Sequence, residues 1–210
     1  MPTALDEVAG WPAERFVGRA SALKLGMWLF LISDAFSFTG LLVAYGVLRA
    51  AAPVWWPSGE PALGIGFTAA LTFLLICSSL SMALAVDAAR SGQRNRATAW
   101  VAITALAGGL FLLGQFHEYF GIASDGLIAQ GLRFGGSHRA STFFVITSFH
   151  AAHVLTGVIL LLLALVRTRG ARDATNFVES VGLFWHFVDL VWILVFTFVY
   201  LIPASPGASP

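Results

Sequence analysis

Long apolar stretches, separated by shorter polar connections, are the dominant pattern along the chain. Each stretch is longer than the ~20 residues with which a helix, rising about 1.5 Å per residue, crosses ~30 Å of hydrocarbon. None alternates polar and apolar positions as the strands of a membrane barrel do, so the backbone must satisfy its hydrogen bonds within helices. The pattern predicts an all-α integral membrane protein, a bundle of five transmembrane helices at about 22–48, 62–86, 98–120, 142–166 and 180–202.

The segments around these helices predict one membrane domain rather than several domains. Most connections are short, as in a compact bundle. The longest connection, 121–140, is rich in glycine and is predicted to be a partly ordered loop. Residues 1–21 are predicted to form an N-terminal tail, 22–202 the single membrane domain, and 203–210, with the sequence PASPGASP, a loose C-terminal tail.

Composition supports the membrane interpretation. The chain is 58% hydrophobic and only 11% charged, with a mean hydropathy of +0.81. Soluble domains carry about 25% charged residues. The net charge is +1 and no dense basic cluster is present, so no nucleic-acid partner is predicted.

Lysine and arginine are distributed unevenly between the two sides of the predicted bundle. Cytoplasmic connections of membrane proteins carry the excess of these residues. The excess therefore predicts a cytoplasmic N-terminus and an external C-terminus. Nine lie on one side (Arg15, Arg19, Lys24, Arg90, Arg94, Arg96, Arg167, Arg169 and Arg172) and three on the other (Arg49, Arg133 and Arg139).

Asp34 is the carboxylate placed deepest in the first predicted helix. It follows Lys24 by ten residues, which puts it about 15 Å into the membrane. A charged carboxylate there costs roughly 2.5–3.5 kcal/mol on insertion scales, so it should face protein, a cavity or a partner. Ser33 and Ser37 are possible hydrogen-bond donors. The sequence leaves open whether Asp34 has a structural role or a proton-linked role.

Two further polar stripes run along the fourth and fifth predicted helices. His150 and His153, three residues apart, share a face of the fourth helix. On the fifth helix His186 and Asp189 are predicted to hydrogen-bond along one face. Glu118 closes the third helix near the external surface. The stripe of the fifth helix also contains Glu179 and Gly182 and is flanked by Trp185 and Trp192.

These residues predict no catalytic or metal site within the chain. A mononuclear metal held by His150, His153 and His186 is geometrically conceivable, but the spacing is weak support. Motifs for haem attachment, zinc hydrolysis or phosphate binding are absent from the sequence, as is a serine or cysteine nucleophile with an obvious base. Cys77, the single cysteine, is predicted to be a small buried hydrophobe.

Three stretches resemble subunit III of bacterial haem-copper terminal oxidases, the cytochrome c oxidases and quinol oxidases. They are GMWLFLISDAFSFTGLLVAY (26–45), FHAAHVLTGVILLL (149–162) and ESVGLFWHFVDLVWILVFTFVYLI (179–202). The WHFVD run is the most specific part, and the five predicted helices fit the short form of the family. The resemblance implies a subunit without an active site, haem or copper of its own, in a complex that reduces oxygen to water and pumps protons.

The resemblance also implies a multi-pass protein of the bacterial cytoplasmic (inner) membrane, together with partners and residue roles. Haem and copper are expected in partner subunits, with subunit I in direct contact and subunit II and further respiratory subunits in the same complex. Bound phospholipid, support of proton uptake and a lipid-lined oxygen path are implied as well. Asp34 matches the membrane-buried carboxylate of the first helix, as in the quinol-oxidase branch, whereas Glu179 matches cytochrome c oxidases, so the electron donor is open. The inter-helix polar residues of the family correspond to His150, His153, His186 and Asp189.

We interpret the His186–Asp189 pair as a brace between helices. Glu118 and His150 are its expected partners on the third and fourth helices. The aromatic residues Trp28, Trp185 and Trp192 are expected to wall off lipid.

Three alternatives to the oxidase subunit stay open. One is a proton-coupled transporter that uses Asp34, His150 and Asp189 as a relay. The others are a haem-anchoring subunit of a dehydrogenase and the accessory subunit of nitric oxide reductase.

Overall fold

The computed structural model describes residues 22–52, 61, 63–121, 126–170 and 175–202. Both predicted tails, 1–21 and 203–210, lie outside the described residues. Part of the predicted loop is described, as a series of turns over 126–137.

Five long helices account for the regular structure of this described part. They are α1 (Ala22–Ala51), α2 (Ile65–Arg90), α3 (Arg94–Phe120), α4 (His138–Gly170) and α5 (Thr175–Val195), which continues as a π-helix over Phe196–Leu201. All five are long and apolar enough to cross a membrane, which confirms the predicted all-α membrane bundle for the described residues.

Each predicted segment overlaps one helix, but most helices extend beyond the apolar run. The third predicted segment begins at 98, whereas α3 begins at Arg94, and α4 begins at His138 rather than at 142. The apolar pattern follows the hydrocarbon thickness, and the backbone remains helical into the polar interface, where side chains no longer need to be apolar.

α5 lies at the centre of the bundle. It packs against α1, α2 and α4, while α2 packs on α3 and α3 on α4. α5 is the most buried of the five helices and α1 the least. The outward faces carry large apolar side chains, as surfaces surrounded by lipid or by other membrane subunits require; examples are Phe36, Phe73, Leu106, Leu113 and Val166.

Two glycines let α5 come close to its neighbours. Trp185 of α5 is fully buried, and its indole lies over Gly108 of α3 and Gly157 of α4. A Cβ at Gly108 would lie 2.4 Å from Trp185 Cη2, and one at Gly157 would lie 2.8 Å from Trp185 Cε3. A single indole thus fixes the rotation of α5 against two helices, and this rotation sets where the polar residues of α5 point.

Candidate functional site

Glu179 joins three helices at one end of the bundle. Its Oε1 lies 2.5 Å from Nε of Arg90 on α2, and its Oε2 pairs with Nζ of Lys24 on α1. The Glu179 side chain is only 10% exposed, whereas that of Arg90 is 64% exposed. One carboxylate therefore neutralises cations from two other helices at the point where α5 begins.

A cavity of about 450 Å³ opens beside this cluster. Its polar wall is formed by Lys24, Asp87, Arg90, Glu179 and His186. Trp28 and aliphatic side chains of α2 and α5 complete the lining. Because the cavity reaches His186, it connects the charged end of the bundle with the polar stripe of α5.

The predicted hydrogen bond between His186 and Asp189 is not formed. Its Nδ1 lies 2.6 Å from Oγ of Ser79 on α2. Both carboxylate oxygens of Asp189 are buried without a hydrogen-bond partner among the described residues. Residues three apart on a helix can meet, but Ser79 on the neighbouring helix takes the Nδ1 atom of His186 instead.

Asp34 pairs with His153 instead of with its neighbouring serines. Asp34 Oδ2 lies 3.2 Å from His153 Nε2, which links α1 to α4. The exposed Ser33 hydroxyl donates to the carbonyl of Phe30, so its predicted role as a donor to Asp34 is wrong.

The bonding of the other ring nitrogen restricts the proton on this pair. His153 Nδ1 lies 2.8 Å from the Phe149 carbonyl, which can only accept, so Nδ1 carries a proton. Nε2 is therefore the ring nitrogen that faces Asp34.

His150 is fully buried, and neither ring nitrogen has a partner among the described residues. The imidazole stacks on Trp192 with 4.6 Å between ring centres and meets the edge of Phe111 at 5.8 Å. The expected bond between His150 and the stripe of α5 is therefore absent from the described part of the chain. His150 packs as an aromatic ring.

Glu118 is the acceptor of a separate buried cluster. Thr68 of α2 donates to Oε1 at 3.0 Å, and Oε2 accepts from Gln115 Nε2 at 3.0 Å and from Tyr200 at 2.9 Å. The expectation that Glu118 braces His186 and Asp189 is wrong, because its oxygens are taken by these three residues.

The sequence analysis missed the partners of Glu118. Thr68, Gln115 and Tyr200 are polar residues inside or beside predicted spans, which is the only signal that could have pointed to them. Tyr200 belongs to the π-helix, a rare turn that often marks functional positions and that no periodicity argument anticipates.

Trp185 and Trp192 lie inside the bundle rather than against lipid. Both are fully buried, and they donate to Ser78 Oγ at 3.0 Å and Thr72 Oγ1 at 2.9 Å on α2. The expectation that they wall off lipid is wrong, because an indole N–H in hydrocarbon needs an acceptor and α2 supplies one for each. Trp28, by contrast, is 53% exposed on the outside of α1.

Cys77 is exposed, so the prediction of a buried cysteine is wrong. Its position on the outer face of α2 follows from the orientation of that helix, which turns Ser78 and Leu75 inwards instead.

The imidazoles do not form a metal centre in the described part of the chain. No three His, Cys, Asp or Glu side chains come together there as metal ligands. His150, His153 and His186 each face a different neighbour, namely Trp192, Asp34 and Ser79. The same separation leaves the transporter relay of Asp34, His150 and Asp189 without connecting hydrogen bonds among the described residues.

The family model for cytochrome c oxidase subunit III matches residues 14–203. The chain belongs to the cytochrome c oxidase subunit III family. It is therefore a multi-pass membrane protein with the role of an oxidase subunit III, in a complex with other oxidase subunits.

Relatives within the subunit III family come from both branches of the haem-copper oxidases. Cytochrome c oxidase subunit 3 of Synechocystis sp. is 36% identical over 88% of this chain and 78% of the relative. The protein of the same name from Corynebacterium diphtheriae is 33% identical over 89% of this chain and 91% of the relative. Cytochrome bo(3) ubiquinol oxidase subunit 3 of Pseudomonas aeruginosa is 36% identical, covering 85% of this chain and 84% of the relative.

Proposed function

We propose that this subunit III packs directly against subunit I of an aerobic respiratory oxidase and shares the complex with subunit II. The complex reduces oxygen to water and pumps protons, and haem and copper reside in the partner subunits. The family match over residues 14–203 carries the proposal. The inward-facing polar groups support it, because they hold the helices together and leave large apolar outer faces for lipid and for neighbouring subunits.

The subunit lies in the bacterial inner membrane with the Lys24, Arg90 and Glu179 end on the cytoplasmic side. The excess of Lys and Arg on that side supports this orientation. The N-terminus is then cytoplasmic and the C-terminus external. The cavity beside Glu179 opens towards the cytoplasm, where protons enter a pumping oxidase.

The subunit binds phospholipid at the rim of this cavity, and the polar interior next to His186 remains open to water. Lys24 and Arg90 provide two cations at the rim, where Glu179 and Asp87 are the neighbouring carboxylates, and aliphatic side chains of α2 and α5 line the wall. A lipid phosphate could pair with the cations while its acyl chains follow the apolar helix faces. The same lipid-filled surface would provide oxygen with an apolar route towards subunit I.

Co-purification tests the subunit role. A tagged chain isolated in mild detergent should bring down a partner whose absorbance spectrum shows haem and whose metal content includes copper. Cells with the untagged chain are the control. Recovery of the chain as a lone homo-oligomer, or stoichiometric haem on the isolated chain, would contradict the proposal.

Lipid analysis of the same preparation tests the binding site. Arg90→Gln should reduce the phospholipid retained after detergent washing, because it removes a rim cation. Arg96→Gln is the matched control, since Arg96 lies near the same end but bonds to Gln93 on its own helix. Equal lipid retention in both variants would place the lipid elsewhere.

A further inference from the structure

We propose that Asp189, Ser79 and His186 form a proton-binding site in the middle of the bundle that exchanges protons with water only through the cavity at the Glu179 end. The inference goes beyond the proposed subunit role and rests on that role for its part in the oxidase. The exchange itself is a property of this chain.

The cavity brings water to the first member of the site. His186 lines the cavity and is partly exposed there. It lies 11 residues into α5 from Thr175, or about 16 Å along the axis. Water can therefore reach an imidazole well below the polar surface.

Ser79 connects this imidazole with Asp189. Its hydroxyl lies 2.6 Å from His186 Nδ1, so it lies against the face of α5 that also carries Asp189, three residues further on. The single hydroxyl proton can serve only one of them at a time. When Nδ1 carries a proton, it donates to Ser79 and the hydroxyl is free for Asp189; when Nδ1 lacks one, the hydroxyl donates to the ring.

This alternation moves one proton with all charges balanced. A proton from cavity water joins Nε2 of His186, the Nδ1 proton passes to the Ser79 oxygen, and the hydroxyl proton passes to an Asp189 oxygen. The ring stays neutral overall, Ser79 remains a hydroxyl, and the carboxylate becomes a carboxylic acid. The reverse sequence releases the proton to the same cavity.

Asp189 is the proton acceptor at the end of this path. It is 4% exposed, and both of its oxygens lack partners within the described residues. A buried carboxylate without hydrogen bonds is costly, so a proton or a water molecule must reach it.

The charged groups of neighbouring helices form no ion pair with Asp189 within the described residues. Towards the cavity, Lys24 of α1 and Arg90 of α2 pair with Glu179, and Asp87 of α2 lines the cavity wall. Between α1 and α4, Asp34 pairs with His153. On α4, His150 has no hydrogen-bond partner within the described residues, but it stacks on Trp192 and does not line the cavity. Ser79 and His186 are therefore the polar groups that connect Asp189 with the cavity.

The far side of the site is closed by packed side chains. One turn beyond Asp189, Trp192 is fully buried, and its N–H is used by Thr72. Val188, Val191 and Val195 are also buried around it. Among the described residues, this packing leaves the cavity as the route for water.

Infrared spectroscopy of the assembled oxidase tests the proposal. The complex is transferred rapidly from water into deuterium oxide, or between mildly acidic and mildly alkaline buffer, and the carboxyl C=O signal is followed in time. Asp189→Asn identifies the signal of Asp189. Ser79→Ala and His186→Phe retain the carboxyl but should slow its exchange by about a hundredfold, the lower end of what a positioned proton-transfer group contributes.

Ser78→Ala is the matched control. Ser78 is the adjacent residue on α2, but its hydroxyl bonds to Trp185 and takes no part in the path. It should leave the exchange rate unchanged. If Asp189→Asn does not assemble, the Ser79 and His186 variants still decide the question through the slow component that they create.

Equal exchange rates in wild type and in the Ser79 and His186 variants would overturn the proposal. An Asp189 carboxyl that never exchanges, or an Asp189→Asn spectrum identical to wild type, would do the same. If haem and copper still co-purify with the chain, such a result removes the proton site alone and leaves the oxidase role standing.

Discussion

Replacing Gly108 by alanine should loosen the centre of the bundle. The new Cβ would lie 2.4 Å from Trp185 Cη2 and 2.8 Å from Val158 Cγ2, where ordinary contact begins at 3.4 Å. The indole would have to move by about 1 Å. It cannot move freely, because Gly157 lies against its other edge and its N–H donates to Ser78 at 3.0 Å.

The expected loss follows from these contacts. Overfilling a packed interior costs typically about 1–3 kcal/mol. Breaking the indole hydrogen bond adds about 0.6 kcal/mol, the average for such bonds in membranes. Alanine also gains up to about 1 kcal/mol over glycine in a helix, so we expect Gly108→Ala to lower the free energy of unfolding by about 1–3 kcal/mol.

Gly109→Ala is the matched control on the same helix. No heavy atom lies within 4 Å of a Cβ there, and alanine is up to about 1 kcal/mol better than glycine in a helix. The free energy of unfolding should therefore be unchanged or slightly higher.

Unfolding of the purified chain in mild detergent, followed by the near-ultraviolet signal of its tryptophans, measures both variants. Trp185→Phe in the Gly108→Ala background should recover part of the loss, because a smaller ring leaves room for the methyl group. Equal stability of Gly108→Ala and Gly109→Ala, or strictly additive losses in the double variant, would refute the reasoning.

Three further predictions concern the buried carboxylates. Glu118→Ala leaves three donors without an acceptor and should lower the free energy of unfolding by at least about 2 kcal/mol. Tyr200→Phe removes only one of these bonds and should cost about 0.6 kcal/mol. Similar losses for the two variants in the same unfolding assay would contradict a shared acceptor. Asp34→Asn should leave assembly intact, because an amide can still donate to His153, but should slow proton uptake or shorten the lifetime during turnover of the complex. Identical uptake and lifetime would show that Asp34 only packs. Glu179→Gln leaves two cations facing each other, so the thermal midpoint of the complex should fall more at low salt than at high salt; a salt-independent change would argue against the ion cluster.

Many residues of the candidate site could be predicted from the sequence, but their hydrogen-bond partners could not. A carboxylate or imidazole within an apolar run stands out because it is costly there, and this drew attention to Asp34, His153 and Glu118. Their partners did not stand out. Tyr200 and Ser79 are ordinary residues for a membrane helix, and only their positions opposite a carboxyl or an imidazole give them a role.

The burial of the tryptophans could not be predicted from the sequence either. An aromatic residue in a transmembrane segment fits both a lipid-facing and a buried position. Trp185 is buried because Gly108 and Gly157 on two other helices leave a space of its shape, and the residue spacing along α5 contains no information about those helices.

The sequence by itself determined that five helices cross a membrane and which stretches resemble an oxidase subunit III, because the length of an apolar run and a local motif are properties of contiguous residues. The tertiary structure alone decided that His186 meets Ser79, that Asp34 meets His153 and that Glu118 meets Tyr200. Helical periodicity specifies which residues share a face. Which helix lies against that face, and at what height, depends on packing between segments far apart in the chain.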